Sequence, residues 1–263
     1  MITMPTPPTS PVATLSDMEL SDRETEFLNL SNQRLLAFKD KHKGERCVII
    51  GNGPSLNQMD LSFLKHEICF GTNKIFLGFK QWDFLPTYYV AVNRLVIKQN
   101  AAQICQIPCP KFISNRGIPD LEPQEDLMFI RTHPDNGQPF CPDPTQGLQE
   151  GNTVTYVAMQ LAYYMGFETV ILIGVDHDYK TPGIPHTEVV SEAKDPNHFH
   201  PDYFGDGVKW HLPDLAGSER FYKIAYAYFW VNGRQILDAT VGGNVLFFRR
   251  LIIENCFYSW DKS

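Results

Sequence analysis

Two stretches of this sequence carry side chains suited to proton transfer near neutral pH. Asn197-His-Phe-His-Pro-Asp-Tyr203 sets His198 and His200 two residues apart, so in an extended segment both rings point the same way. An imidazole with an ordinary pKa of about 6.5 can take a proton from an attacking hydroxyl. His198 is the first choice for such a base and His200 the second. Asp202 is placed to orient one ring, and Tyr203 to donate to a phosphate. The other stretch is Asp176-His177-Asp178. Its carboxylates are a candidate Mg²⁺ pair, and His177 can pair with either. In the competing reading Asp176 only orients the next loop through backbone hydrogen bonds. Asp176, His198, His200 and Tyr203 are thus the catalytic candidates.

A third stretch looks built for binding. Gly51, Asn52, Gly53, Pro54 and Ser55 follow an apolar run directly. The glycines allow a tight turn with exposed N–H groups, Pro54 stiffens it, and Ser55 adds a hydroxyl. We expect these main-chain amides to grasp a phosphate; a plain structural turn is the alternative. The stretch is neither the dinucleotide fingerprint nor the Walker loop. Asn73 and Asn93 each end a predicted strand. A carboxamide there suits a base edge or a sugar hydroxyl, or it caps its own loop. Asn152 and Thr153 precede a long predicted helix, where they serve as an N-cap, an anion site or both.

These residues need a scaffold, and the apolar pattern supplies one. Short apolar runs at Cys47–Ile50, Ile68–Gly71, Tyr88–Val92, Lys111–Ser114, Leu127–Ile130, Thr169–Gly174 and Gln235–Leu237 read as buried, preferentially parallel strands. Helices are expected at Glu24–Phe38, Leu61–Leu64, Leu95–Gln103, Thr153–Met165 and Asp214–Trp230. The order loop, helix, Gly166, strand is one half of a βαβ unit. Asp176–Asp178 lie just past a strand's carboxyl end, where open parallel sheets bind ligands. The expected fold is therefore α/β: a Rossmann-like, mostly parallel sheet flanked by helices, with a loop-rich lid. Residues 1–20, rich in Pro, Thr and Ser, read as a disordered arm. Residues 21–46 carry an N-terminal helix. Residues 47–263 form the nucleotide-binding domain, with the lid at about 177–212.

Composition narrows the partners. The 263 residues carry a formal charge of -7, and 43% are apolar. No run supplies the basic face that a duplex nucleic-acid binder needs, so nucleic acid is not an expected partner. The six cysteines are scattered, without zinc-site spacing, and read as free thiols. No signal peptide opens the chain, and no apolar stretch is long enough to span a bilayer. The expected location is cytoplasmic, at most peripheral to the inner membrane face. Phe247–Ile253 is a candidate for contact with a bilayer or a second copy, or for packing within the fold.

Gly51-Asn-Gly-Pro-Ser-Leu56, Asn73, Asn93, Gly151-Asn-Thr-Val154 and Ile173-Gly-Val-Asp176 together resemble two related groups over roughly residues 47–240. One is the bacterial sialyltransferases of glycosyltransferase family 42. The other is the MptE-like (DUF115) group, named after an archaeal 6-hydroxymethylpterin diphosphokinase. The Asp176–Asp178 and Asn197–Tyr203 stretches are closer to the second. The first resemblance implies transfer of a sugar from a nucleotide-activated donor to a hydroxyl, without a metal cofactor. Asn52, Ser55, Asn73 and Asn93 would then grip a CMP-linked sugar, with Thr153 near its phosphate or carboxylate. His198 would be the base, and Tyr203 would help the phosphate leave. The sequence departs from that pattern: the acidic pair is heavier, and Tyr179 is the one clear match to the group's loop tyrosines. The second resemblance implies an ATP-dependent diphosphokinase, with Asp176 and Asp178 holding Mg²⁺. A non-catalytic nucleotide-sugar-binding module is the third expectation.

Overall fold

The computed structural model describes residues 15–134, 137–245 and 248–250, with side chains from residue 22 onward and without that of Arg250. In chain order the elements are α1 (Leu15–Leu35), β1 (Arg46–Ile50), β2 (Cys69–Thr72), α2 (Phe79–Trp82), β3 (Tyr88–Ala91), α3 (Arg94–Gln99), α4 (Ala101–Cys105), β4 (Lys111–Ser114), β5 (Leu127–Ile130), β6 (Thr132–His133) and β7 (Leu148–Gln149). They continue with α5 (Val154–Tyr164), β8 (Thr169–Ile173), β9 (Glu188–Val190), β10 (Lys209–His211), α6 (Leu215–Val231), β11 (Gln235–Asp238) and β12 (Arg249–Arg250).

The main sheet has eight strands in the order β12-β11-β8-β1-β2-β3-β4-β5. Its neighbouring strands all pair in parallel. Both faces are covered, which is why the strands read as unbroken apolar runs rather than alternating ones. Successive side chains still divide between the faces. Cys47 and Ile49 enter the layer that holds α5 and α6, whereas Val48 and Ile50 enter the opposite layer. From β1 the chain builds outward through β2 to β5, then returns to β1's other flank as β8. The order reverses between β1 and β8, and such a switch point leaves a crevice at the strands' carboxyl ends.

Helix α5 is the buried centre of one layer: ten of its eleven residues are buried. Its one deeply buried carboxamide, Gln160, has partners at both ends. The oxygen accepts from the amides of Cys141 (3.0 Å) and Gln149 (3.3 Å), and Nε2 donates to Gln149 O at 2.7 Å. The helix thereby ties down the Pro- and Gly-rich loop before it.

Two features differ from the sequence reading. Helix α1 begins at Leu15, inside the stretch expected to be a tether, because from there to Leu35 no Pro or Gly interrupts the chain. The earlier part of the expected arm lies outside the described residues. The expected lid is two structures. Residues 181–194 are mostly exposed and contribute β9, which pairs antiparallel with β10. Residues 195–204 instead dock on the core: Asn52 O accepts from Phe199 N at 2.9 Å, and Phe199 O accepts from Asn57 Nδ2 at 2.7 Å. Of the tail Phe247–Ile253, the described part includes Phe248, which is buried, and β12; the rest lies outside the described residues. No described helix is long and apolar enough to cross a membrane.

Candidate functional site

A cleft of about 560 Å³ opens at the carboxyl edge of the sheet, in front of β1 and β8. The loop after β1 forms part of its wall, in a different way from that expected. The amide of Gly51 donates to Ile173 O and that of Gly53 to Gly174 O, each at 2.8 Å. The amide of Ser55 donates to Asp176 Oδ1 at 3.0 Å, and its hydroxyl donates to Oδ2 at 2.7 Å. Pro54 has no N–H to offer. The amides of this loop therefore knit β1 to β8 instead of facing a phosphate. Among the described residues, Asn52 N alone in the loop is left without an internal acceptor. Gly51, Asn52 and Gly53 line the cleft; Pro54 and Ser55 do not. The glycines are explained by this close approach. A Cβ on Gly51 would lie 2.2 Å from Gly174 O, and one on Gly53 would lie 1.7 Å from Asp176 Oδ2.

The catalytic candidates separate. His198 is buried at the cleft wall, and its Nδ1 lies 2.6 Å from Asp195 Oδ2. Its Nε2 lies 3.1 Å from the Tyr179 hydroxyl. Asp195 also accepts the amides of Asn197 (2.8 Å) and Phe204 (3.1 Å). It is this carboxylate that orients the ring, and not Asp202. Sequence reasoning missed it, although an Asp three residues before a His is a visible cue. Burial pushes the His198 pKa below its ordinary value, against the opposing pull of Asp195. An ionised Asp195 accepts but cannot donate, which puts the ring proton on Nδ1 and leaves Nε2 to accept from Tyr179.

Tyr203 is fully buried. Its ring stacks on His198 at 3.8 Å and 3°, and its carbonyl accepts the buried Lys74 ammonium. It packs on the imidazole and also lines the cleft. His200 does not line the cleft, and its Nδ1 accepts from Asp202 N at 3.2 Å. The segment turns between residues 198 and 203 instead of running extended, so the two imidazoles diverge.

The carboxamides also divide. Asn52 Nδ2 donates to Thr72 O (3.1 Å) and Thr72 Oγ1 (2.9 Å), which leaves its buried Oδ1 without a partner. Asn73, held in the left-handed region at φ 48, likewise keeps a buried Oδ1 with no partner. Both residues line the cleft. A buried acceptor left without a donor is costly. Asn93 instead caps α3, its oxygen accepting from Leu95 N and Val96 N. Thr153 caps α5 and meets the Tyr222 hydroxyl at 3.3 Å. Asn152 donates to Asp214 Oδ2 at 3.1 Å, and half-buried His177 is pushed down in pKa by burial. Arg116, which sequence reasoning also missed, brings a guanidinium to the cleft while paired with Glu150 at 2.8 Å.

Asp176 and Asp178 both line the cleft, but they do not make a metal cage. Both oxygens of Asp176 are engaged by Ser55, while Asp178 is exposed. Burial raises the Asp176 pKa, and the Ser55 hydrogen bonds oppose that rise. No group of three or more His, Cys, Asp or Glu among the described residues is placed to hold an ion. A Mg²⁺ at this pair would take its remaining oxygens from substrate phosphates and water.

A parallel, doubly covered sheet with its cleft at the switch point defines an α/β protein of the Rossmann-like kind. The chain belongs to the MptE-like family: the model for 6-hydroxymethylpterin diphosphokinase MptE-like proteins matches residues 25–182. That match spans the Gly51 loop with Asn52, as well as Asn73 and Tyr179, and it ends before Asp195 and His198. The solved structure of the MAf glycosyltransferase from Magnetospirillum magneticum AMB-1 shares the fold, with a TM-score of 0.52 at 14% identity. The similarity covers 86% of this chain and 38% of that one, so this chain spans well under half of that protein. No curated protein sequence matches the chain.

Proposed function

We propose that the protein transfers a glycosyl group from a nucleotide-activated sugar to an acceptor hydroxyl in surface-glycan synthesis. The observation that carries this reading is His198, fixed by Asp195, in the same cleft as two unpartnered carboxamide oxygens. Acceptors at Asn52 and Asn73 suit the N–H groups of a base such as cytosine, and His198 is where the acceptor's proton ends. The N-terminus of α5 and Arg116 offer positive potential to the phosphate, replacing the amides expected in the Gly51 loop. The fold shared with a glycosyltransferase supports the reading, and CMP is the first donor nucleotide to test. We place the protein in the cytoplasm.

The diphosphokinase reading rests on the family's name. It would require ATP and Mg²⁺ at a site whose Asp176 is already engaged by Ser55. One titration separates the readings: CMP, UDP, GDP and ATP by calorimetry, each with and without Mg²⁺. Metal-independent binding of CMP, or failing that of UDP or GDP, weakened at least tenfold in Asn73→Ala, is the expected result. Strictly Mg²⁺-dependent ATP binding would replace this proposal with the kinase. Nucleotide binding with no turnover of any sugar donor would favour the non-catalytic module.

A further inference from the structure

We infer that Tyr179, and not the imidazole itself, touches the acceptor hydroxyl and relays its proton to His198. The inference rests on the glycosyl-transfer reading and names a catalytic residue within it. The His198 ring is closed in on every side that matters. Asp195 holds Nδ1 at 2.6 Å and Tyr179 holds Nε2 at 3.1 Å. Tyr203 covers one face at 3.8 Å, and Phe204 meets the ring at 4.9 Å and 84°. No substrate oxygen can reach a ring nitrogen without displacing a partner already there. Tyr179 is half-buried and lines the cleft, and its hydroxyl sits against Nε2, the ring nitrogen left to accept a proton. Because it donates to Nε2, its oxygen keeps lone pairs for an incoming O–H.

The step balances within these groups. The acceptor O–H breaks as its oxygen bonds the anomeric carbon. The bond from that carbon to the nucleotide's phosphate oxygen breaks, and its electron pair leaves with the phosphate. The acceptor's proton passes to Tyr179 Oη while Tyr179's own proton passes to His198 Nε2. Tyr179 finishes with the proton count it began with, and Asp195 faces the imidazolium formed. Burial pushes the Tyr179 phenol above its ordinary pKa, so the proton passes through it without a stored phenolate.

The test uses the full chain and three probes, CMP-N-acetylneuraminic acid, UDP-N-acetylglucosamine and GDP-mannose, with water as acceptor. Nucleotide release is followed in a single turnover. Tyr179→Phe keeps the ring and its packing but deletes the relay oxygen. Its rate should fall about 10²–10⁴-fold, the usual share of a positioned base. His198→Ala should fall similarly, and the double variant should fall no further, because the two act as one unit. The Kd for the released nucleotide should stay within about threefold of wild type. In parallel, NMR titration should show the His198 pKa rising in Tyr179→Phe, since a donor to its neutral form is gone. A wild-type chain that turns over a probe, with Tyr179→Phe equally fast, overturns the relay and leaves the glycosyl-transfer reading standing. So does an unmoved His198 pKa. A wild-type chain that turns over none of the three overturns that reading, and the relay with it.

Discussion

Asp195 is the residue whose removal tests the site most directly. Its side chain is 2% exposed and accepts three hydrogen bonds, from Asn197 N, Phe204 N and His198 Nδ1. Asp195→Ala strands all three donors, each at about 1–3 kcal/mol. Relief from burying a carboxylate offsets part of that sum, which leaves a loss of about 3 kcal/mol. Asp195→Asn keeps the shape but turns one oxygen into an amine. An amine at Oδ1 faces Asn197 N–H, and one at Oδ2 faces Phe204 N–H. One buried donor is therefore left unmatched in either orientation, at about 1–3 kcal/mol. The assay is urea unfolding at pH 7.5, read by tryptophan fluorescence, with the slope m compared across the variants. The expected order is wild type, then Asn, then Ala, at constant m. An Asp195→Ala variant within about 1 kcal/mol of wild type would refute the assignment of this carboxylate as the buried anchor of the 195–204 segment.

Other perturbations probe the rest of the structure. Gly53→Ala puts a Cβ 1.7 Å from Asp176 Oδ2, so the β1 and β8 loops must separate. Urea unfolding should record a loss of about 1–3 kcal/mol or more. Stability should also depend on pH through His198 and His177, both of whose pKa values are lowered in the folded state. Below about pH 6.5 the unfolded chain binds more protons than the native one, so stability should fall as pH falls toward the folded values. Above that it should be flat with respect to these groups, and His198→Asn should flatten part of the acid-side slope in a series of unfolding curves. Lys111 is fully buried and donates to Ile107 O, Cys109 O and Asp126. Lys111→Ala strands the buried Ile107 and Cys109 carbonyls, while Asp126, 41% exposed, stays in water; the loss should be about 1–3 kcal/mol in the same assay, without changing nucleotide affinity.

How much of this was legible in the sequence depends on how local the cause is. The seven apolar runs became seven strands of the main sheet, and the long helices over Thr153–Met165 and Asp214–Trp230 became α5 and α6. Hydrophobic runs, Gly stops and caps act over a few residues, so the sequence displays them. The edge strand β12 and the small β6–β7 and β9–β10 pairs were not legible, because so few residues carry no period of their own. The site was legible only as a set of residue types. His198 and Asn73 proved to line one cleft, whereas His200 lies outside it and Asn93, at the cleft wall, spends its oxygen on capping α3. The Gly51 loop is the sharpest case. Its glycines announce a close approach by something, and sequence alone points to a phosphate. The strand order places β8 beside β1, so the nearest acceptors are Ile173 O, Gly174 O and the Asp176 carboxylate, more than a hundred residues away along the chain. A hydrogen bond forms with whichever partner the fold brings within about 3 Å, and that distance is set by sheet topology rather than by the identity of the donor.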